Sequence, residues 1–321
     1  MIVALDAMGG DFAPQAAIDG ALLALSQQPG NVHVELVGDK AVIEAHLAGK
    51  DLSGRRLSIH HAPEVIEMGE HPTRALTQKP DSSIGIGFKL LAAGKIGAFC
   101  SAGNTGAMLV GAMFSVKTIP GILRPAIAGF VPKISGGYGV IIDAGANTEC
   151  KAEILQQFAE MGSLYAKHVL HIQNPKVALL NVGEEEKKGT AVLQATYQLL
   201  KNDPKINFVG NIEGRDIFHD KADVVVTDGF TGNVVLKLSE SVYEIMAATG
   251  IEPGPFFSRL NYETVGGSPI IGVNGNVIIG HGVSTPTAIA AMIDQAVKMI
   301  DSDINEKIKQ GLGVTAAPDL N

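Results

Sequence analysis

Residues 224–233 read Val-Val-Val-Thr-Asp-Gly-Phe-Thr-Gly-Asn, an apolar run followed at once by glycines and small polar residues. Adjacent valines with no polar residue between them are typical of a strand buried on both faces. Further on, apolar residues recur at helical spacing, at Val235, Leu238, Val242 and Ile245. The stretch therefore predicts a buried strand, a tight polar turn and a helix whose apolar stripe lies in the core.

The same alternation of short apolar runs and helical stripes recurs along the whole chain. Further strands are predicted at 2–7, 32–37, 57–60, 98–101, 126–131, 140–142, 176–182, 207–209 and 277–279. Helical stripes lie between them, for example over 154–169 and 289–304. Apolar strands joined by helices predict an α/β fold with a mostly parallel, doubly wound sheet and helices on both faces.

Composition and charge exclude several classes of function. The formal net charge is −8 and no long basic run is present, which argues against a nucleic-acid partner. The two cysteines, Cys100 and Cys150, are too few for a disulfide framework and show no metal-binding spacing. The first residues lack the features of a signal peptide, and no apolar run spans a bilayer, so a cytoplasmic location is expected.

The chain is expected to form a single α/β domain over 1–321, which a central cleft can divide into two lobes. The helical pattern breaks near 247–266, where Gly250, Pro253, Gly254 and Pro255 predict a small protruding tip. Residues 316–321 are expected to be a frayed tail.

Four loops that follow predicted strands combine glycine with small polar residues. They cover 6–11, 101–106, 143–147 and 228–233. In open α/β sheets ligands bind beyond the carboxyl ends of the strands, and such loops at helix N-termini suit phosphate. Each loop alone is better explained as an ordinary strand-to-helix turn with a capped helix, but the four together favour a binding site. The candidate binding residues in them are Asp6, Gly9, Gly10, Ser101, Asn104, Thr105, Gly106, Asn147, Thr231 and Gly232.

Two other segments carry candidate residues. The run 181–189 contains Lys187 and Lys188 beside a glycine, and is either a solvated charged loop or an anion-binding one. His281 lies between two glycines after a predicted strand, and reads as a turn residue or a binding residue. A metal cluster of Asp143, Asp223 and Asp228 is conceivable, but no further carboxylate matches it, so no metal is predicted.

The familiar catalytic motifs are missing from the sequence. There is no GxSxG elbow, no Walker lysine loop and no GxGxxG after the first strand, while Gly85-Ile86-Gly87 lies within a predicted helix. Cys100 and Cys150 are expected to be structural, because a cysteine nucleophile needs a base and an electropositive setting.

In their order along the chain, these loops resemble the phosphate acyltransferase family of bacterial phospholipid synthesis. The motifs that carry the resemblance are 5–11, 101–107, 143–147, 180–185, 213–217, 228–234, 266–269 and 281–284. The resemblance implies a fold similar to isocitrate and isopropylmalate dehydrogenases and to phosphotransacetylase. It also implies a homodimer and a cleft that needs no cofactor.

The resemblance further implies a reaction and its partners. Members transfer an acyl chain from acyl carrier protein to orthophosphate, which implies a functional link to a membrane glycerol-3-phosphate acyltransferase. Lys188 and Asn233 match family positions expected to be catalytic, Lys188 supplying positive charge and Asn233 a hydrogen-bond donor. Asp6, Asn104 and Thr105 match supporting positions, as do Asn147 and His281.

One segment departs from the family pattern. Many members carry a longer, lysine-rich hairpin before the Gly-Gly-Ser/Ala-Pro motif, whereas 247–262 is short here and its basic residue is Arg259. At most weak membrane association is therefore expected.

Three competing functions remain open at this stage. A phosphotransacetylase-like enzyme would use acyl-coenzyme A, but no adenine-stacking or basic cluster is recognisable. A nicotinamide-dependent hydroxy-acid dehydrogenase would need grouped arginines, which Arg55, Arg56, Arg74 and Arg124 do not form in sequence. A scaffold that binds acyl carrier protein without turnover would not need the phosphate-suited loops.

Overall fold

The computed structural model describes residues 1–28 and 30–313. The predicted tail at 316–321 lies outside the described residues. Within the described ranges, no helix is both long enough and apolar enough to cross a membrane.

Strands and helices alternate as the sequence predicts. The strands are β1 (Ile2–Asp6), β2 (His33–Gly38), β3 (Leu57–His61), β4 (Ala98–Ser101), β5 (Ala126–Pro132), β6 (Tyr138–Ile142), β7 (Lys176–Leu180), β8 (Asn207–Ile212), β9 (Val224–Val226), β10 (Ser268–Ile271) and β11 (Asn276–Ile279). The helices are α1 (Gln15–Gln27), α2 (Lys40–Leu47), α3 (Pro72–Gln78), α4 (Ser83–Ala92), α5 (Thr105–Gly111), α6 (Ala152–His168), α7 (Ala191–Lys201), α8 (Gly229–Ala248), α9 (Pro255–Ser258), α10 (Tyr262–Val265), α11 (Pro286–Asp301) and α12 (Ile304–Gly311). A π-helical turn, Ala112–Lys117, continues α5, and a 3₁₀ turn covers Gly214–Asp216.

The chain divides into two compact units. The first unit comprises Met1–Lys117 and Asn261–Asp301. Its strand order is β3-β2-β1-β4-β11-β10, with every pair parallel except β10 and β11. Helices α1 and α11 pack on each other, and α4 packs on β1, β2 and β4. The carboxyl ends of β1, β4 and β11 therefore lie side by side at one edge of this sheet.

The second unit comprises residues 118–260 and the described residues from 302 onward. Its strand order is β5-β6-β9-β7-β8, and only the β5–β6 pair is antiparallel among these strands. Helix α6 packs on β6 and β9, and both α7 and α12 pack on α6. The loops that follow β6, β9 and β7 consequently emerge at one edge of this sheet in that order.

The sequence-based assignment of the strands is largely confirmed. Every predicted run coincides with a strand to within a few residues. Strand β10 was not predicted, because Gly266, Gly267 and Pro269 are turn signals. Its pairing with β11, which sets Pro269 opposite Ile278, makes it a strand all the same.

The prediction that the stripe on α8 belongs to the core is wrong. Leu238 is 67% exposed and Ile245 is 59% exposed. The buried residues of this helix are Gly229, Gly232 and Ser239, because the helix packs on β5 and β6 within its own unit and leaves the stripe exposed. Apolar periodicity predicts an amphipathic helix but does not say what covers its face.

The segment at 247–266 contains two short helices, α9 and α10. In the second unit the Phe256 ring packs edge-on against Phe218 at 5.7 Å and against Phe257 at 5.2 Å. Arg259 donates hydrogen bonds to the carbonyls of Lys133 and Gly137 at 2.8 and 2.9 Å. Aromatic packing of Phe256 and the hydrogen bonds of the Arg259 guanidinium thus attach this part of the tip to the second unit.

Candidate active site

In the first unit the loops after β1, β4 and β11 meet through backbone and side-chain contacts. Ser101 Oγ donates to Asp6 Oδ2 at 2.6 Å and accepts from the Gly103 amide at 2.9 Å. The amide of Gly280 donates to the Ser101 carbonyl at 2.8 Å, and that of Asp11 donates to the Gly282 carbonyl at 2.7 Å. Asp6 and Ser101 therefore form the centre of this loop cluster.

Glycine is required where these loops approach one another. A Cβ at Gly9 would lie 2.5 Å from Asp6 Oδ2 and 2.7 Å from the Gly103 nitrogen. Gly10 has a φ of +100°, and a Cβ there would lie 3.1 Å from the Gly282 carbonyl. Gly9 and Gly10 thus allow the loop backbones to pack closely, and the space beside their Cα atoms is filled by protein atoms.

Asp6 is 1% exposed. Burial raises the pKa of its carboxyl, while hydrogen bonds from Ser101, Ser83, Met8 and Gly9 act in the opposite direction. The carboxyl is held by protein donors, so its structural role is to fix the loop cluster.

Asn104 is committed to structure by both ends of its side chain. Its Oδ1 accepts from the Ala107 amide at 2.9 Å and so caps α5. Its Nδ2 lies 3.0–3.1 Å from the carbonyls of Glu67, Met68 and Glu70. This asparagine ties the loop before α3 to the first turn of α5.

Thr105 and Gly106 form the first turn of α5 after this cap. Thr105 is exposed. A Cβ at Gly106 would collide with the Pro72 ring, so this glycine lets α3 approach α5.

His281 lies in the loop between β11 and α11. Its ring packs against that of Tyr262 at a tilt of 45°, with the centroids 5.1 Å apart, and Tyr262 Oη donates to the Val283 carbonyl at 3.1 Å. Thr285 Oγ1 donates to Glu263 at 2.5 Å. Helix α10 thereby fastens the loop that carries His281.

In the second unit the loops after β6 and β9 are joined through Asp143. This residue is 0% exposed and accepts from the amides of Ile127 and Asn147 at 2.9 and 2.6 Å. Asn147 Nδ2 donates to Asp143 Oδ2 at 2.9 Å and to the Pro125 carbonyl at 2.8 Å. Burial raises the pKa of the Asp143 carboxyl against these hydrogen bonds.

The beginning of α8 is fitted closely to this loop. Asp228 caps the helix by accepting from the amide and the hydroxyl of Thr231 at 2.8 and 2.9 Å. A Cβ at Gly229 would lie 2.6 Å from Asp143 Oδ2, and a Cβ at Gly232 would overlap the Asp143 carbonyl. Thr231 and Gly232 are therefore engaged in building the turn.

Asn233 differs from the other asparagines of the two clusters. It is half-buried on the second turn of α8, and a Cβ at Gly145 would lie 3.7 Å from its Nδ2. Across residues 1–28 and 30–313, no protein group hydrogen-bonds to its side chain. Its amide can therefore donate to a ligand.

Lys188 lies in the loop after β7, next to the β9 loop along the same sheet edge. Asn181 Nδ2 donates to the Lys188 carbonyl at 3.2 Å, and the following Gly189 has a φ of +81°. The ammonium is 3.8 Å from Glu185, and both side chains are at least half exposed. An exposed pair of this kind is weak, which leaves the charge available to an anion.

The structure thus brings the predicted residues together in two clusters, one in each unit. In the second unit Asn147, Thr231, Gly232 and Asn233 share one cluster, and Lys188 lies in the loop that follows the neighbouring strand β7. Sequence reasoning missed the anchoring roles of Asp143 and Asn181. Their signal is their position, since each is the first polar residue after a buried strand.

The described residues hold no group of three or more His, Cys, Asp or Glu side chains that could bind a metal. Asp223, a member of the conceivable metal cluster with Asp143 and Asp228, instead forms an ion pair with Lys133 at 2.5 Å. Burial raises the pKa of both thiols, that of Cys150 to about 12, so neither is a ready nucleophile.

The fold and these loops define an α/β protein built like the phosphotransacetylases. The chain is similar to the crystal structure of a phosphotransacetylase from Streptococcus pyogenes, with a TM-score of 0.66, 16% identity and 94% of each chain covered. At that identity the likeness concerns the fold.

Sequence comparison identifies the family. A family model described as "Fatty acid synthesis protein" matches residues 1–250 and 254–307. A phosphate acyltransferase from Dictyoglomus turgidum is 43% identical, with 97% of this chain and 98% of the relative covered. Another from Pelotomaculum thermopropionicum is 46% identical, with 97% and 95% covered. The chain therefore belongs to the phosphate acyltransferase family and is an enzyme of the acyltransferase class.

Proposed function

We propose that this enzyme transfers a fatty acyl group from acyl carrier protein to orthophosphate, forming acyl phosphate. The product would feed the acylation of glycerol 3-phosphate in phospholipid synthesis. Support comes from the family and from the loops at the sheet edge of the second unit. The observation that carries the proposal is Asn233, a half-buried amide without a protein hydrogen-bond partner in the described structure.

The chemistry requires little more than positioning and charge stabilisation. A phosphate oxygen attacks the thioester carbonyl carbon, and negative charge develops on the carbonyl oxygen. The carbon–sulfur bond then breaks, its electron pair leaves with sulfur, and the thiolate takes a proton from water. Because phosphate is already anionic near neutral pH and a thiolate leaves readily, no covalent enzyme intermediate, metal or nucleotide is needed.

Two residues of the second unit are assigned to this reaction. The Asn233 amide donates a hydrogen bond to the developing oxyanion, and the Lys188 ammonium attracts phosphate and offsets its charge. Their loops follow β9 and β7, which are neighbouring parallel strands about 4.8 Å apart. Asn181 and Gly189 fix the backbone that carries Lys188.

The assembly and the partners are part of the proposal. The exposed stripe on α8, which includes Leu238 and Ile245, supplies an apolar face for a homodimer. Acyl carrier protein is the acyl donor, and a membrane glycerol-3-phosphate acyltransferase consumes the product. The cytoplasm is the expected location, because orthophosphate and acyl carrier protein are both water-soluble substrates.

The decisive experiment incubates pure protein with acyl-carrier thioester and measures free thiol with and without phosphate. Release that depends on phosphate, together with acyl phosphate trapped as a hydroxamate, supports the proposal. Equal release without phosphate contradicts it. Replacing the carrier thioester by the coenzyme A thioester distinguishes the carrier-dependent reaction from that of a phosphotransacetylase, and sedimentation velocity measures the dimer.

A further inference from the structure

The loop that carries Lys188 is held by a side chain of the neighbouring strand in the same unit. Asn211 lies near the carboxyl end of β8, and its Nδ2 donates to the carbonyl of Glu185 at 2.9 Å. The same carbonyl accepts from the backbone amide of Lys188 at 3.0 Å. One acceptor therefore connects the side chain of Asn211 to the backbone of Lys188.

Further contacts restrain Lys188. Its carbonyl accepts from Asn181 Nδ2 at 3.2 Å. Its stem lies over Gly183, where an added Cβ would be 3.1 Å from Lys188 Cγ. Because the ammonium sits at the end of a flexible four-carbon stem, the position of the backbone decides which volume the charge can reach. The hydrogen bond from Asn211 thus contributes to where the charge is presented.

An irregularity in β8 aims Asn211 at this loop. The pairing of β7 with β8 sets Val177 opposite Phe208 and Leu179 opposite Asn211, so β8 contains one extra residue between these pairs. Gly210, immediately before Asn211, has a φ of +100°, as expected in a β-bulge. A shift of one residue moves the following side chains of a strand to the opposite face of the sheet. Bulges occur frequently next to active sites, where they redirect a side chain.

The side chain of Asn211 is not explained by stability. It is 6% exposed. Since a carbonyl can only accept, the contact with Glu185 requires the amide nitrogen on that side and leaves Oδ1 on the other. Oδ1 is also buried, and within residues 1–28 and 30–313 no protein group donates to it. A buried polar atom without a partner lowers stability, which an apolar side chain of similar size would avoid.

We propose that Asn211 is a positioning residue for the acyl transfer, which acts through Lys188 and touches neither substrate. The inference rests on the proposed function, since that function assigns Lys188 to phosphate. The Asn211 amide fixes the Glu185 carbonyl, this carbonyl fixes the Lys188 amide, and the ammonium is thereby kept beside the anion. Without the donor the loop keeps its sequence and charge, but Lys188 is held less firmly.

The test is a substitution that removes the amide and keeps its volume. In Asn211→Leu the KM for phosphate is expected to rise about tenfold, since misplacing a group by about 1 Å costs as much as 10²-fold. The KM for the acyl thioester is expected to stay unchanged, and thermal unfolding should occur at the same temperature as in the parent protein or above it. A merely structural role predicts the reverse, lower stability with an unchanged KM for phosphate. Asn211→Ala, which cannot overfill the site, is the second variant, with the same kinetic result expected.

The other end of the same strand provides a matched control. Asn207 is half-buried at the beginning of β8, opposite Lys176 and away from the loop that follows β7. Asn207→Leu repeats the chemical change and is expected to leave both KM values unchanged. If it raises the KM for phosphate as much as Asn211→Leu does, or if neither variant of Asn211 raises it, the positioning role is wrong.

A double variant tests whether Asn211 acts through Lys188. Residues that act as a unit have non-additive effects. Asn211→Leu is therefore expected to lower kcat/KM for phosphate in the parent protein and to have little further effect in Lys188→Ala. An equal fold-loss in both backgrounds would show that Asn211 acts independently of Lys188, and would overturn the inference.

Hydrogen exchange separates the inference from the proposed function. The Lys188 amide is expected to exchange faster in Asn211→Leu and at the parent rate in Asn207→Leu, because local opening of the loop becomes easier without the Asn211 donor. Should that pattern appear while thiol release ignores phosphate, the proposed function fails and the hold of Asn211 on the loop stands. Should Lys188→Ala raise the KM for phosphate while Asn211→Leu changes neither that KM nor the exchange rate, the inference fails alone.

Discussion

Ser101 Oγ donates to Asp6 Oδ2 across 2.6 Å and so joins the ends of two adjacent parallel strands. Ser101→Ala removes a donor from a buried carboxyl. We expect the free energy of unfolding to fall by about 1–3 kcal/mol, as measured by chemical denaturation. Ser26, which is exposed and bonds the Leu23 carbonyl within its own helix, is the control. Equal losses for Ser26→Ala and Ser101→Ala would contradict the buried role.

The same carboxyl predicts a dependence of stability on pH. Burial raises the pKa of Asp6 above its ordinary value of 3.8. The native state then holds the proton to higher pH than the unfolded chain, so the free energy of unfolding falls as pH rises from about 4 through the raised pKa. In Asp6→Asn this decline is expected to be smaller, and urea denaturation at several pH values measures it. If the free energy of unfolding depends on pH in Asp6→Asn as it does in the parent protein, Asp6 does not cause the decline.

Asn233 and Asn147 make a matched pair for separating catalysis from folding. Asn233→Ala is expected to lower turnover by roughly 10² or more with little effect on stability, because its amide has no protein partner in the described structure. Asn147→Ala is expected to destabilise the fold, because its amide bridges Asp143 and the Pro125 carbonyl. Thermal unfolding and thiol release measure the two effects. Near-normal turnover in a folded Asn233→Ala would remove this residue from the mechanism.

The two lysines of the β7 loop can be distinguished in the same way. Lys188→Ala is expected to lower turnover by roughly 10² and to raise the KM for phosphate, because a positive charge is lost beside the anion. Lys187→Ala serves as the charge-matched control. Glu185→Gln should change little, since its pair with Lys188 is exposed. Equal losses for Lys187→Ala and Lys188→Ala would indicate a general electrostatic effect instead.

The tip predicts weak, largely salt-insensitive binding to anionic vesicles. Arg259 is engaged with two backbone carbonyls, and each basic residue near a membrane surface contributes only about 1 kcal/mol. Phe256 packs on Phe218, while Phe257 is 38% exposed. Co-sedimentation should leave most protein in the supernatant at both low and moderate salt, and Phe257→Ala should reduce the bound fraction further. Tight binding abolished by salt would reveal a basic docking surface elsewhere.

The fold could be predicted from the sequence because most of its central strands are apolar and buried. Runs such as that of β9 can only be buried, and the polar residues after them mark the strand ends. Two features escaped prediction for physical reasons. Strand β10 contains Pro269, a residue that local preference assigns to turns. The stripe of α8 has helical periodicity, which does not identify a covering surface.

The candidate site was predictable only as a set of loops. Sequence shows Asn104, Asn147 and Asn233 alike, each as an asparagine near glycine after a strand. Their difference arises from carbonyls far away in the chain, such as those of Glu70 and Pro125, which occupy the first two side chains. Local patterns carry no information about such distant partners, so only the structure separates the anchors from the available donor.

A Cβ at Gly232 would overlap the Asp143 carbonyl, so positions 232 and 233 are expected to be under different evolutionary constraints. Any mutation at position 232 would have to move the backbone of another strand end, so a library selected for folded protein should recover glycine there. At position 233 the same library should accept many residues, and only selection for growth that depends on the enzyme's activity should restore asparagine. Within one turn of α8, position 232 would then be constrained by folding, whereas the adjacent position 233 would be constrained by catalysis.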